Sequence, residues 1–156
     1  MRRKDREVEG IGNITGVLER CDVVRIALCD GERPYIVPMN FGMLVEGEKI
    51  TLFIHSAKEG RKIDLIKKNA NICFEADRLI GIDEGQAACD YTSRYESVVG
   101  EGVVKMLEDR NDKAAGLDVI MGKYGYDKKG DYPQQMLDSV AVLKIDVKNI
   151  TGKANY

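Results

Sequence analysis

Strands joined by tight turns dominate the stretch between residues 23 and 55. Val23–Cys29 is apolar and β-branched, and the dipeptide Asp30-Gly31 that follows is a strong hairpin signal. The returning strand spans Pro34–Met43, a second turn lies at Glu46–Glu48, and a third strand spans Lys49–His55. Three consecutive strands linked in this way argue against a doubly wound fold, which needs a helix between nearly all of its strands.

The rest of the chain also contains predicted strands, with a few helices between them. Further strands are predicted at Asn71–Ala76, Ser97–Leu107 and Ser139–Val147, and a loop is predicted at residues 78–92. One helix is predicted at residues 9–20, and a second should begin at the capping-box pattern Ser56–Glu59 and end near Asn69. A third helix should begin at an Asp109 cap and end near Tyr124, with Leu117, Ile120 and Met121 facing inward. Six strands with few helices predict a mainly β fold with flanking helices, an antiparallel barrel. We expect one domain over residues 1–156.

Composition excludes several classes of function. Lys and Arg number 24 against 26 Asp and Glu, a net charge of −2 that gives no basis for nucleic-acid or anionic-membrane binding. A single His rules out a site built from two or more imidazoles in one subunit, and we expect no metal. No apolar run is long enough to span a bilayer, and the charged start Met1–Glu7 is not followed by a signal core, so we expect a cytoplasmic protein.

One segment has the features of a phosphate site. At the junction of a strand and a helix, Ser56 precedes the flexible Gly60 and the cations Arg61 and Lys62. Backbone N–H groups at a helix start carry the positive end of the dipole and bind anions. The alternative is a capped helix with a solvated first turn, although basic residues there oppose the dipole.

Three further residues or segments have two interpretations each. Arg25 lies inside an apolar strand, where it either binds an anion or lies on the open face of a half-solvated sheet. The proline-interrupted Pro38–Gly42 either exposes backbone groups to a polar ring edge or is an ordinary edge strand. His55 is either a functional residue beside the anion site or a core or capping histidine.

Together these stretches resemble the FMN-binding split-barrel superfamily that includes pyridoxamine 5′-phosphate oxidase. Arg25–Leu28 resembles its Arg-bearing core strand, and Phe53–Ser56 followed by Gly60–Lys62 resembles its strand, Ser and Arg-Lys phosphate motif. Ile66–Ile72 resembles the following helix end and strand, with Ala70 in place of the family's usual proline. Glu96–Gly102 falls where the family's partner-subunit flavin contacts lie.

The nitroimidazole-reductase branch of that superfamily matches best. Met1–Arg6, Pro34–Gly42, His55–Gly60 and Ile150–Ala154 are all typical of it. The resemblance implies a six-stranded, Greek-key split β-barrel and a homodimer with FMN at the interface.

The resemblance also implies a set of FMN contacts, with the phosphate at Ser56, Arg61, Lys62 and Arg25 and the isoalloxazine against the backbone of residues 37–40 and 54–56. The implied contacts are Arg25, Val37, Pro38, Met39, Asn40, Ile54, His55, Ser56, Ala57, Arg61, Lys62, Ser97 and Val98. Of these, His55 is the implied catalytic residue, as a proton donor or substrate contact.

The sequence departs from the family pattern at two places, and these departures restrict the activities that the resemblance implies. The Arg-x-His segment of true pyridoxamine-phosphate oxidases is absent, which argues against vitamin B6 oxidation, and Ser97 stands where the oxidases commonly place Gln. The leading hypothesis is an FMN-dependent oxidoreductase with a small organic acceptor, and the resemblance makes a nitro compound the candidate acceptor. A non-catalytic FMN-binding protein for stress response or redox sensing has the same motifs, and a haem-binding split barrel would need His55 as its axial ligand.

Overall fold

The computed structural model describes residues 3–156, so Met1 and Arg2 of the N-terminal motif lie outside the described residues. The strands are β1 Glu7–Val8, β2 Val24–Asp30, β3 Arg33–Met39, β4 Phe41–Glu46, β5 Lys49–Ala57, β6 Asn71–Asp83, β7 Thr92–Leu107 and β8 Val140–Asn155. The helices are α1 Ile11–Arg20, α2 Arg61–Lys68, α3 Arg110–Lys123 and α4 Gln134–Ser139.

All strand pairs are antiparallel, and the sheet order is β3-β2-β6-β7-β8-β5-β4, with β1 added beside β8. The predicted mainly β class and barrel-like architecture are confirmed. The described residues form eight strands rather than six, because β1 is an additional short strand and because Asn40 divides the predicted strand Pro34–Met43 into β3 and β4.

The division at Asn40 bends the sheet into a split barrel. β3 and β4 are the two end strands of the sheet, and among the described residues they do not pair with each other. Only Asn40 separates them along the chain. Since two peptide units span at most about 7 Å, the two ends of the sheet must lie close together at this point. We call the opening between the end of β3 and the start of β4 the split.

Alternation along the strands fills the barrel interior. The side chains with no more than 1% exposure include Val24, Ile26, Phe41, Leu52, Ile54, Phe74, Val98, Leu143 and Ile145. Helices α1 and α2 add their apolar faces to this cluster. A second, smaller cluster lies outside the barrel, where Phe53 and Val142 pack against α3 and α4 through Leu117, Ile120 and Leu137.

Helix α3 is capped as predicted, since the Asp109 carboxylate accepts from the backbone N–H groups of Asn111 and Asp112. It lies directly on β4. A Cβ at Gly42 would come within 2.4 Å of the Val119 carbonyl oxygen, so only glycine permits this approach. No described helix is long and apolar enough to cross a membrane.

Several local predictions were wrong. Ser56 is in β5, which continues to Ala57, and the helix starts only at Arg61 without a side-chain cap. The predicted loop 78–92 is largely strand, because β6 and β7 extend into a long hairpin whose pairing offsets its polar composition. Met121 is 40% exposed rather than inward, and α4 was not predicted.

Candidate functional site at the split

Two of the predicted segments meet at the split. Pairing between β4 and β5 ends at Phe41 and Ile54, although the register would next place Asn40 beside His55. Residues 55–57 of β5 pair with β8 alone among the described strands. One edge of β5 therefore carries backbone N–H and C=O groups that are available to a ligand at this point.

The side chains around this edge alternate between the barrel interior and the surface. Met39 and Ile54 are buried, so a ligand at the split meets mainly their backbone. Asn40 and His55 are exposed. Ser56 is half-buried, and its hydroxyl donates to the Ala57 carbonyl oxygen at 2.8 Å.

Helix α2 begins immediately beyond the same edge. Gly60 has a φ of +116°, a backbone conformation that other residues rarely adopt, and it turns the chain from β5 into the helix. The N–H groups of Ile63 and Asp64 donate to the Gly60 carbonyl oxygen. Within the described part of the chain the N–H groups of Arg61 and Lys62 have no partner, so they can bind an anion.

The two cations at the start of α2, Arg61 and Lys62, lie over the inner face of β3. The Arg61 guanidinium lies 4.4 Å from the ring centroid of Tyr35 and donates to the Asp30 carboxylate at 2.6 and 3.1 Å. The Lys62 ammonium lies 3.3 Å from the Met39 sulfur, and burial lowers the pKa of Lys62 from its usual value. Neither Asp30 nor Tyr35 was predicted as a site residue, because their contacts with Arg61 join segments that are distant in sequence.

Arg25 lies on the opposite face of β2. Its cross-strand neighbours are Pro38 and Glu75, and its guanidinium is 3.0 Å from the Glu75 carboxylate and 2.5 Å from that of Asp77. The pKa of Glu75 is raised, first by burial and then by Asp77. The structure therefore does not bring Arg25 to the cations Arg61 and Lys62 of α2. Arg25 lies on the half-solvated face of the sheet, which is the second of the two interpretations that its sequence position allowed.

Ser97 and Val98 lie on β7, outside the two segments that meet at the split. Ser97 stands opposite Asp77 across β6 and β7, on the same outer face as Arg25, and its hydroxyl is 3.5 Å from the Lys153 carbonyl oxygen. The Val98 side chain is fully buried in the core, so only its backbone could contact a ligand. The implied contacts thus form two groups within one chain, one at the split and one on the outer face.

The outer face also contains a cavity of about 520 Å³ between β2, β6 and β7. Its lining includes Cys29, Cys73, Val103 and Lys148 but none of the implied FMN contacts. The split itself is an open surface site in the single chain.

Comparison with known proteins confirms the resemblance. The family model of pyridoxamine 5′-phosphate oxidase matches residues 13–154. The solved structure of a proposed 5-nitroimidazole antibiotic resistance protein from Bacteroides thetaiotaomicron VPI-5482 is 34% identical, with 95% of this chain and 86% of that chain covered and a TM-score of 0.81. No curated protein matches.

Two more distant structures share the fold alone. The flavocytochrome Anf3 from Azotobacter vinelandii is 16% identical over 100% of this chain and 72% of that chain, with a TM-score of 0.82. The FAD and heme binding protein from Mycobacterium smegmatis is 17% identical over 96% and 73%, with a TM-score of 0.84. By its family-model match and its 34% identical relative, the chain belongs to the pyridoxamine 5′-phosphate oxidase family.

Proposed function

We propose that this protein binds FMN at the split and acts in the cytoplasm as an oxidoreductase that reduces a small organic acceptor. The observation that carries the proposal is that two cations lie next to two helix N–H groups and a strand edge that have no partner among residues 3–156. A flavin mononucleotide needs both kinds of partner, because its phosphate is anionic and its ring edge is a row of hydrogen-bonding groups.

The phosphate is assigned to the start of α2. Arg61 offers a planar guanidinium, Lys62 a half-buried ammonium, and both offer backbone N–H groups. Ser56 adds a hydroxyl that now donates only to its neighbour's carbonyl oxygen. Charge-assisted hydrogen bonds of this kind are the strong ones, and they balance the cost of desolvating the phosphate.

The ring is assigned to the split, between the backbone of residues 37–40 and that of residues 54–56. FMN supplies the electron and hydride chemistry when bound. His55, exposed at the free edge of β5, is proposed to donate a proton to the acceptor, since its imidazole is the one histidine side chain of the sequence and lies beside the backbone assigned to the ring. The 34% identical relative, a proposed 5-nitroimidazole resistance protein, supports a nitro compound as the acceptor.

The second group of implied contacts supports a homodimer. Ser97 and the Val98 backbone lie on β7, outside the two segments that meet at the split, and Asn40, His55 and Arg61 at the split are exposed in the single chain. We propose that the partner subunit supplies Ser97 and the Val98 backbone, so that each site combines the split of one chain with the outer face of the other. Arg25 lies on the same outer face, but its guanidinium is bound by Glu75 and Asp77, so we assign it a structural role and no flavin contact.

The test begins with the purified full-length protein. A visible flavin spectrum, and the mass of FMN in the ligand released on denaturation or taken up on titration, are expected. A protein that neither carries nor takes up FMN contradicts the proposal.

Turnover separates an enzyme from a protein that only stores FMN. After chemical reduction, reoxidation by a nitroaromatic compound should be fast in the wild type and slower in His55→Ala, with FMN affinity kept. Reoxidation that is slow in the wild type, or unchanged in His55→Ala, removes the catalytic assignment.

A further inference from the structure

The chain needs a hydrogen-bond acceptor where β3 passes into β4. Phe41, the first residue of β4, pairs with Ile54, but β3 does not continue the sheet on its other side. Its N–H donates instead to the side-chain oxygen of Tyr124 at 3.2 Å. This bond lies one residue from Asn40, at the edge of the split.

The Tyr124 hydroxyl is bonded in both directions. Besides accepting from Phe41, it donates to the Asp22 carbonyl oxygen at 2.6 Å. Asp22 lies between α1 and β2, and β2 is the strand that pairs with β3. One hydroxyl therefore connects the start of β4 with the segment that leads into the neighbour of β3, across the two sides of the split.

Tyr124 is itself fixed at the end of α3. The preceding residue, Lys123, donates to the carbonyl oxygens of Leu18 and Glu19 and lies 4.5 Å from the centroid of the Phe41 ring. The contact between Gly42 and the backbone of α3 prevents the helix from moving closer to β4. The hydroxyl is thus a fixed point relative to both end strands.

From these contacts we infer that Tyr124 is a positioning residue that sets the width of the split and, through it, the fit of the flavin ring edge. The inference rests on the proposed function. Without the hydroxyl, the Phe41 N–H and the Asp22 carbonyl both lose a partner, and the backbone at Met39 and Asn40 can shift relative to the free edge of β5. Tyr124 needs no contact with the flavin to act in this way.

The experiment compares Tyr124→Phe with Tyr126→Phe, a matched control on an exposed tyrosine whose hydroxyl has no hydrogen bond among the described residues. Losing one hydrogen-bonded position should weaken FMN binding about fivefold in Tyr124→Phe. The visible absorption maxima and the midpoint potential of the bound flavin should also shift, and exchange of the Phe41 amide in the apoprotein should be faster. The control should leave all of these unchanged.

The outcomes separate the two proposals. If the wild type binds FMN and Tyr124→Phe binds it with the same affinity and spectrum, the positioning role is wrong while the proposed function stands. A lower thermal midpoint with unchanged affinity and spectrum also overturns it, because that result indicates a purely structural hydroxyl. If the wild type does not bind FMN, both proposals fail together.

Discussion

Arg61 and Arg25 are both exposed arginines in ion pairs with carboxylates. The charges around Arg61 favour the binding of an anion, whereas the charges around Arg25 oppose it. Arg61 has one carboxylate partner, Asp30, and its neighbour Lys62 has no carboxylate partner within the described residues. These two cations and their one carboxylate partner carry 2 − 1 = +1. Arg25 and its two carboxylate partners, Glu75 and Asp77, carry 1 − 2 = −1.

The difference shows that the residues paired across strands decide what an arginine can bind. Arg25 fits the family pattern as well as Arg61 does, but the register of β2 against β6 places Glu75 directly opposite it. Arg61 follows Gly60 at a helix start, where unpaired N–H groups add to its charge. We therefore expect the FMN phosphate at α2 and a structural role for Arg25.

The largest effect should come from removing the two cations at the start of α2. In the variant Arg61→Ala/Lys62→Ala, losing two charge-assisted interactions should weaken FMN binding by about 100-fold. Fluorescence titration with FMN measures the change. Lys67→Ala/Lys68→Ala, which removes the two exposed cations at the other end of the same helix, is the matched control and should bind almost normally. Equal losses in the two variants would show that only general charge matters.

A third arginine, Arg20, forms an ion pair that we expect to contribute to stability and not to FMN binding. Arg20 donates twice to the Glu96 carboxylate, at 2.8 and 2.7 Å, and this pairing first of all lowers the pKa of Glu96. Since the side chain of Glu96 is 1% exposed, Glu96→Gln should cost about 2 kcal/mol of unfolding free energy at neutral pH.

The pH dependence of this variant follows from the sign of the shift. A lowered carboxyl pKa stabilises the fold above the ordinary value of 4.5, so the difference should shrink as the pH falls below it. Denaturant unfolding at several pH values measures this. FMN affinity should not change, and a loss of FMN affinity in Glu96→Gln would connect this ion pair with the site.

Asp30→Asn should strengthen FMN binding. The Asp30 carboxylate occupies the Arg61 guanidinium that the phosphate needs, and both side chains of this pair are exposed. Because exposed ion pairs are worth at most about 1 kcal/mol, the gain should be about threefold. Asp83→Asn, at another exposed arginine pair with Arg94, should have no effect. Weaker binding in Asp30→Asn would mean that Asp30 helps to orient Arg61 instead of competing for it.

The smallest effect on binding is expected from Arg25→Ala, less than about twofold, because its charge is already compensated by two carboxylates. This variant should instead differ from the wild type in the pH dependence of its unfolding free energy. Without Arg25 the pKa of Glu75 rises further, so the variant should lose stability relative to wild type as the pH rises through the carboxyl range. If FMN binding is lost to the same degree as in the α2 variant, the contrast between the two arginines is wrong.

Local patterns predicted the parts of the fold that depend on neighbours in sequence. The hairpin at Asp30-Gly31, the Asp109 cap and all six strands are present because turn chemistry and alternation act within a few residues. The break at Asn40 was not predicted, since it lies where the two unpaired ends of the sheet meet, which depends on the whole strand order. The Asp30 contact with Arg61 and the Phe41 bond to Tyr124 span 31 and 83 residues, and no local pattern encodes them.

Titration of the wild-type protein with FMN and with riboflavin, the same flavin without its phosphate, tests the central claim most directly. If the cations and N–H groups of α2 hold the phosphate, FMN should bind at least about 100-fold more tightly than riboflavin. This preference should disappear in Arg61→Ala/Lys62→Ala and persist in Arg25→Ala. Equal affinity of the wild type for the two flavins would contradict the phosphate site at the split.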